Sequence, residues 1–157
     1  MTRKILLADD DAAVRHLLGR VLESEHYEVV LARTGFAAVL KFRTDPPDLV
    51  LLDLVLPDKD GWAAFGLMNS AHPMVPFIVI TAKPEQYPRA VEFGVDAFME
   101  KPLHLPLLLA TVRDLLAESE ADRVRRLTRP DFKTRFLKPH AAAGAAEAYP
   151  CITEPTR

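Results

Sequence analysis

Asp48-Leu49-Val50-Leu51-Leu52-Asp53 is a continuous apolar run at residues 49–52 with an aspartate on each side. An apolar run of this length without alternating polar residues is typical of a strand that is buried on both faces. Such strands occur in parallel sheets that are covered by helices on both sides. Because the run ends in Asp53, it also predicts a carboxylate at the carboxyl end of a buried strand.

Four further segments resemble this strand, and amphipathic segments separate them. The five predicted strands are residues 4–8, 28–32, 48–53, 76–81 and 96–100. Apolar residues recur at helical spacing between residues 14 and 22, and again between residues 105 and 116. Strands that alternate with helices in this way predict an α/β, doubly wound, five-stranded parallel sheet with right-handed crossovers. In this class of fold, function is expected at the carboxyl ends of the strands.

The composition suits a soluble, cytosolic protein with one principal domain. The chain has 157 residues and a net charge of −2, but the charge is −7 through Asp122 and +5 from Arg123 onward. This asymmetry predicts a main domain at residues 1–120, a basic helix extension or linker at 121–138 and a disordered tail at 139–157. No apolar stretch is long enough to predict a membrane span, the residues at the start of the sequence do not read as a signal peptide, and the lone cysteine cannot form an internal disulfide.

Three carboxylates follow the first and third strands, which are neighbours in this topology. Asp9, Asp10 and Asp53 would repel one another strongly unless a cation is present or protons are retained. Mg²⁺, or Mn²⁺, suits oxygen ligands of this kind, and a carboxylate can attack phosphorus directly. Thr81 after the fourth strand and Lys101 after the fifth supply a hydroxyl and an ammonium group, which can stabilise a phosphoryl group in transfer.

With these motifs in order, the chain resembles the receiver domains of two-component response regulators. The motifs are the acidic run at residues 9–11, the third strand with Leu56-Pro57 and Asp60-Gly61 after it, Ile80-Thr81-Ala82, and Lys101-Pro102. The resemblance extends from residue 4 to about residue 118. It implies a flavodoxin-like (βα)5 fold with strand order 2-1-3-4-5 and a phosphoryl-accepting regulatory domain, rather than an enzyme. It also implies a sensor histidine kinase or a histidine phosphotransfer protein as the donor, and allows a phosphorylation-dependent homodimer.

The resemblance assigns a role to each site residue. Asp53 would accept the phosphoryl group, and Lys101, after which the family has a cis peptide bond to Pro102, would pair with that group. Thr81 would be the switch hydroxyl and Phe98 the switch aromatic. The implied metal ligands are Asp10 directly, Asp9 largely through water, Asp53, and the backbone carbonyl of Val55.

One region departs from the family pattern. The segment between Thr81 and Lys101 is about two residues shorter than in most relatives, and Pro88 falls within the expected fourth helix. Since proline inside a helix costs about 3 kcal/mol, this helix should be short, shifted or late to start. In the family, the face formed by the fourth helix, fifth strand and fifth helix usually carries the output.

Alternative functions make different demands on the same residues. A haloacid-dehalogenase-type phosphatase or phosphotransferase would need a second aspartate two residues after the nucleophile, where this chain has Val55. A flavin- or nucleotide-binding module would need a loop rich in glycine or hydroxyls where residues 9–11 are aspartates. The basic residues after 122 could contact nucleic acid, but a solvated linker is favoured. About 35 residues follow the fifth helix, too few for a winged-helix domain, so a stand-alone regulator or a piece of a longer protein is expected.

Overall fold

The computed structural model describes residues 1–138, so the disorder predicted for 139–157 lies outside the described residues. The strands are β1 (Lys4–Ala8), β2 (Glu28–Ala32), β3 (Leu49–Asp53), β4 (Phe77–Thr81), β5 (Ala97–Glu100) and β6 (Arg135–Leu137). The helices are α1 (Ala12–Ser24), α2 (Gly35–Thr44), α3 (Gly61–Ala71), α4 (Tyr87–Phe93), α5 (Leu105–Ala117) and α6 (Glu120–Leu127). Among the described residues, none of these helices has the length and apolar character that crossing a membrane requires.

All strands of the sheet run parallel, in the order β2-β1-β3-β4-β5-β6. Successive side chains of a strand point to opposite faces, so β3 contributes to two separate cores. Leu49 and Leu51 pack into the core that α1 and α5 cover, while Val50 and Leu52 pack into the core that contains residues of α2 and α3. Each face of the sheet is therefore covered by helices, which confirms the doubly wound architecture.

The prediction of five strands is wrong, because a sixth strand, β6, extends the sheet beyond β5. Residues 135–137 pair in parallel with β5, with Phe98 opposite Phe136. In β6, Arg135 is exposed, Phe136 is half-buried and Leu137 is buried. Only two apolar residues of this short strand reach the core, and the charged residues around them hide that signal in the sequence. The helix α6 is likewise separate from α5, because Glu118 and Ser119 interrupt them.

The helix α4 is short, as Pro88 predicts. It begins at Tyr87, so that the proline occupies its first turn, where a missing backbone N–H breaks no helical hydrogen bond. It ends after seven residues at Gly94, which adopts a left-handed conformation with φ of 75°. The sequence between β4 and β5 is thus accommodated by shortening α4.

Candidate functional site

The acidic residues predicted to meet do so at the carboxyl ends of β1 and β3. Ala8 and Leu52 are paired across these neighbouring strands, so the residues that follow them, Asp9 and Asp53, lie side by side. Asp9, Asp10 and Asp53 each place one carboxylate oxygen within 4.8 Å of the others. The structure therefore brings together the carboxylates that the sequence identified.

Burial of these side chains is uneven, and one lysine joins the buried pair. Asp9 and Asp53 are only 2% and 5% exposed, whereas Asp10 is exposed to solvent. The Lys101 Nζ atom lies 3.0 Å from Asp9 Oδ2 and 3.1 Å from Asp53 Oδ2. A single ammonium group thus binds two carboxylates, and with Asp10 beside them the cluster carries an excess of negative charge.

The surroundings shift the pKa values of both partners upward. Burial raises the pKa of Asp53 by disfavouring its charged form, and the nearby Asp9 carboxylate adds to this, although the Val55 N–H and Lys101 oppose it. For Lys101, burial disfavours the charged form, but hydrogen bonds to Asp9 and attraction to Asp53 outweigh it and raise the pKa. Lys101 is therefore held as a cation, while part of the negative charge of the carboxylate cluster remains uncompensated.

Backbone groups hold the two buried carboxylates in fixed orientations. The Asp11 N–H donates to Asp9 Oδ1 at 2.9 Å, and the Val55 N–H donates to Asp53 Oδ1 at 3.0 Å. Each carboxylate thus has one oxygen bound to the backbone and the other bound to Lys101. Arg15, which the sequence did not single out, donates from a guanidinium nitrogen to the Asp9 carbonyl at 2.8 Å. Its helical position one turn into α1 was the available signal.

The loop after β3 folds back on itself, so that its end lies beside its beginning next to the carboxylates. Val55, whose side chain is half exposed, forms an antiparallel bridge with Asp60, and the Gly61 N–H donates to the Leu54 carbonyl at 3.0 Å. A Cβ atom on Gly61 would lie only 2.4 Å from the Leu54 Cα atom. The Asp60-Gly61 motif therefore allows a close backbone approach that positions Val55 next to Asp53.

The observed contacts of the Thr81 and Phe98 side chains are with residues other than the three carboxylates. The buried Thr81 hydroxyl accepts a hydrogen bond from the Lys83 N–H at 3.0 Å, and the Thr81 carbonyl accepts one from the Lys101 N–H at 2.8 Å. Phe98 is fully buried, and its ring meets the rings of Tyr87 and Phe136. The sequence pattern did not reveal the contact with Phe136, which belongs to β6.

The donor set fits a hard divalent cation. Carboxylate oxygens are the ligands that Mg²⁺ and Mn²⁺ prefer, and Asp10 keeps its side chain accessible to solvent beside the buried pair. The remaining negative charge of the cluster would be offset by such an ion. The peptide bond between Lys101 and Pro102 is cis, as the resemblance implied.

Comparison with known families and proteins gives one consistent result. Residues 5–113 match the family model of the response regulator receiver domain. The transcriptional regulatory protein KdpE of Staphylococcus aureus is 38% identical over 115 residues, which cover 72% of this chain and 49% of that protein. The alkaline phosphatase synthesis regulator PhoP of Bacillus subtilis is 35% identical over 122 residues, or 76% of this chain and 51% of that protein. The chain spans about half the length of these curated relatives.

Solved structures of similar fold are receiver domains as well. The CheY-like receiver domain protein of Methanospirillum hungatei aligns with a TM-score of 0.71 and 28% identity, covering 74% of this chain and 95% of that chain. The response regulator TrrA of Thermotoga maritima, solved in complex with Mg²⁺ and BeF, aligns with a TM-score of 0.68 and 28% identity. That alignment covers 73% of this chain and 99% of TrrA.

Proposed function

Because the chain belongs to the receiver domain family of two-component response regulators, we propose that it accepts a phosphoryl group on Asp53 and thereby switches between two conformations. The observation that carries this proposal is the joining of Asp9 and Asp53 by Lys101 beside the accessible Asp10. An Asp53 oxygen would form a bond to phosphorus while the bond between phosphorus and the donor's leaving group breaks. The leaving group would depart with the bonding electron pair.

The residues of the site divide into those that would hold a metal and those that would contact the phosphoryl group. Asp10, Asp9, Asp53 and the Val55 carbonyl would hold Mg²⁺ or Mn²⁺, in line with the Mg²⁺ in the TrrA complex. When bound, the ion would neutralise charge on the phosphoryl oxygens. Lys101 supplies a fixed positive charge, and Thr81 would turn its hydroxyl from the Lys83 N–H toward a phosphoryl oxygen.

We further propose that the donor is a phosphohistidine in a sensor histidine kinase or a histidine phosphotransfer protein, and that the chain works in the cytosol. Response regulators of two-component systems are phosphorylated by such kinases, and the curated relatives are regulators of this type. The domain would be a regulatory switch that promotes its own phosphorylation and dephosphorylation, rather than an enzyme acting on other substrates. A phosphorylation-dependent homodimer is a compatible output.

The alternative phosphatase or phosphotransferase is not favoured by the comparisons, which identify receiver domains throughout. The structure adds a chemical reason. Two residues after Asp53, where that class of enzyme needs a second carboxylate, Val55 presents an exposed aliphatic side chain. This side chain cannot exchange a proton with a leaving group or with water.

Incubation with acetyl phosphate and Mg²⁺, followed by intact-protein mass spectrometry, tests the proposal. Wild-type protein should gain the mass of one phosphoryl group, and Asp53→Asn should gain none. Asp45→Asn is the matched control, because Asp45 is an exposed aspartate after α2 that lies outside the carboxylate cluster. The assignment would be refuted if Asp53→Asn were labelled as fully as wild type. It would also be refuted if wild-type protein gained no phosphoryl group in the presence of excess Mg²⁺.

A further inference from the structure

Residues 119–137, which we call the α6–β6 segment, are fixed to the edge of the sheet by buried charges. Asp96 lies just before β5, and its side chain is 1% exposed. Arg123, itself 7% exposed, forms a buried ion pair with it, and Arg126 donates to the same oxygen at 2.8 Å. The other Asp96 oxygen accepts from the Phe77 N–H at 2.9 Å, at the start of β4. One carboxylate therefore connects β4 and β5 to α6.

A second set of contacts attaches the segment to α4. The Thr134 hydroxyl, which is buried, lies 2.7 Å from the Val95 carbonyl and 3.0 Å from the Ala90 carbonyl. The Thr134 carbonyl accepts a hydrogen bond from the Tyr87 hydroxyl at 2.6 Å. These bonds hold the residue before β6 to the first residue of α4, to the middle of that helix and to the loop after it.

The third contact reaches Phe98, the aromatic residue of β5. Phe136 stacks on Tyr87 with ring centroids 4.6 Å apart and meets Phe98 edge to face at 5.3 Å. Phe98 lies opposite Val79, and Thr81 is two residues further along β4, so the side chains of Thr81 and Phe98 belong to the same face of the sheet. Phe98 is thus placed between the switch hydroxyl of the proposed site and the added strand.

From these contacts we infer that the α6–β6 segment is an intramolecular ligand of the α4–β5 face, and that its docking and the phosphorylation of Asp53 oppose each other through Phe98. This inference rests on the proposed function. Any partner that would lie along the edge of β5 must displace β6, because β6 already occupies the hydrogen-bonding edge of that strand. Release of the segment would uncover the strand edge together with the rings of Tyr87 and Phe98.

The direction of the coupling follows from the positions of the groups that a phosphoryl would attract. Lys101 and Thr81 are joined by a backbone hydrogen bond, so drawing them toward Asp53 moves the ends of β4 and β5 together. Turning the Thr81 hydroxyl away from Lys83 opens space on the face it shares with Phe98. Movement of the Phe98 ring into that space separates it from Phe136 and weakens the docking of β6.

Amide hydrogen exchange measured by mass spectrometry on the full chain tests the coupling directly. With Mg²⁺ and acetyl phosphate, exchange at residues 135–137 should become roughly fivefold faster or more, the lower end of typical coupling between two sites. Asp53→Asn, treated identically, should show no change. Intact mass measured on the same samples separates the two proposals. A phosphorylated wild type with unchanged or slower exchange in β6 overturns the coupling alone, whereas absence of phosphorylation overturns the proposed function and the coupling with it.

Reciprocity supplies a second measurement, because coupled equilibria affect each other by the same factor. Phe136→Ala should bind beryllofluoride, with Mg²⁺ present, about fivefold more tightly than wild type in isothermal titration calorimetry. Lys133→Ala is the control, since Lys133 is an exposed residue of the same segment and is not among the residues that dock it. If Phe136→Ala does not fold, Tyr87→Phe removes the hydrogen bond to Thr134 and keeps the ring. Equal affinity in wild type and in the folded variant would overturn the inference.

Discussion

Replacement of Lys101 by methionine should destabilise the metal-free protein, because it leaves two buried carboxylates without their shared cation. The Lys101 Nζ atom makes two charge-assisted hydrogen bonds, at 3.0 Å to Asp9 and at 3.1 Å to Asp53. Hydrogen bonds to charged groups contribute about 1.5–3 kcal/mol each, but the lysine also loses hydration, since its side chain is only 19% exposed. We expect Lys101→Met to lower the free energy of unfolding by about 2 kcal/mol at neutral pH.

The stability lost in Lys101→Met should be smaller under two conditions that reduce the negative charge of the carboxylate cluster. Acidification protonates Asp53, whose pKa burial already raises, and Mg²⁺ offsets the charge directly. Urea denaturation at pH 7.5 and pH 5, with and without Mg²⁺, measures these changes. Lys83→Met is the matched control, because Lys83 is an exposed lysine of the β4–α4 loop, and its loss should cost less than about 0.5 kcal/mol.

If Lys101→Met lost the same free energy of unfolding at both pH values, with and without Mg²⁺, the lysine would act by packing alone. The raised pKa of Lys101 also determines how its contribution to stability changes at alkaline pH. Because the folded-state pKa of Lys101 is raised, its contribution is fully present below the unfolded value of 10.5 and disappears as the pH rises through the folded value. On the alkaline side, the stability difference between wild type and Lys101→Met should therefore disappear only above the raised folded-state pKa of Lys101.

Three other substitutions have definite outcomes. Arg123→Met should lower the free energy of unfolding by about 3 kcal/mol in urea denaturation, because it leaves a buried carboxylate with a weaker partner, whereas the exposed Arg125→Met should change it by less than about 0.5 kcal/mol. Asp53→Asn should stabilise the metal-free protein. This gain in the free energy of unfolding should fall as the pH is lowered from the folded-state pKa of Asp53 toward 3.8, because folded wild type binds the proton more tightly than the unfolded chain does. A gain in stability that rises on acidification would contradict this. Gly61→Ala should cost about 3 kcal/mol, read from the thermal midpoint, because its Cβ would overlap the backbone of Leu54.

The sequence predicted the fold where its hydrophobic pattern is strong. Continuous apolar runs such as residues 49–52 identify buried parallel strands, since both faces of such a strand must meet a core. Pro88 correctly indicated a short α4, because its ring excludes it from a helix interior. The strand β6 escaped prediction because it is three residues long and has only two apolar residues, Phe136 and Leu137, among charged neighbours. A strand that depends on pairing with an existing edge leaves little signal in its own residues.

The candidate site was predictable to the extent that strand ends determine it. Parallel strands bring their carboxyl ends to one edge of the sheet, so the sequence alone predicts that Asp9, Asp53 and Lys101 lie together, as they do. The environment of Phe98 could not be foreseen, because the residue that packs against it is distant in the sequence and belongs to a segment whose composition indicates a solvated linker. Charge content describes the exposed side of that segment and conceals its buried side.

Arg123 shows how a segment with basic composition can still be integral to the fold. Among the described basic residues after 122, Arg123 has a buried side chain, and it pairs with the Asp96 carboxylate, for which the more exposed Arg126 is the other cation. An isolated buried charge is costly, and in this chain the buried cation that offsets Asp96 comes from α6, outside the (βα)5 unit. The α6–β6 segment supplies that cation and places Phe136 on Phe98 at the same time. The stability of the domain and the accessibility of its α4–β5 face therefore depend on the same twenty or so residues, and a partner that displaces β6 while leaving α6 in place would keep the ion pair intact.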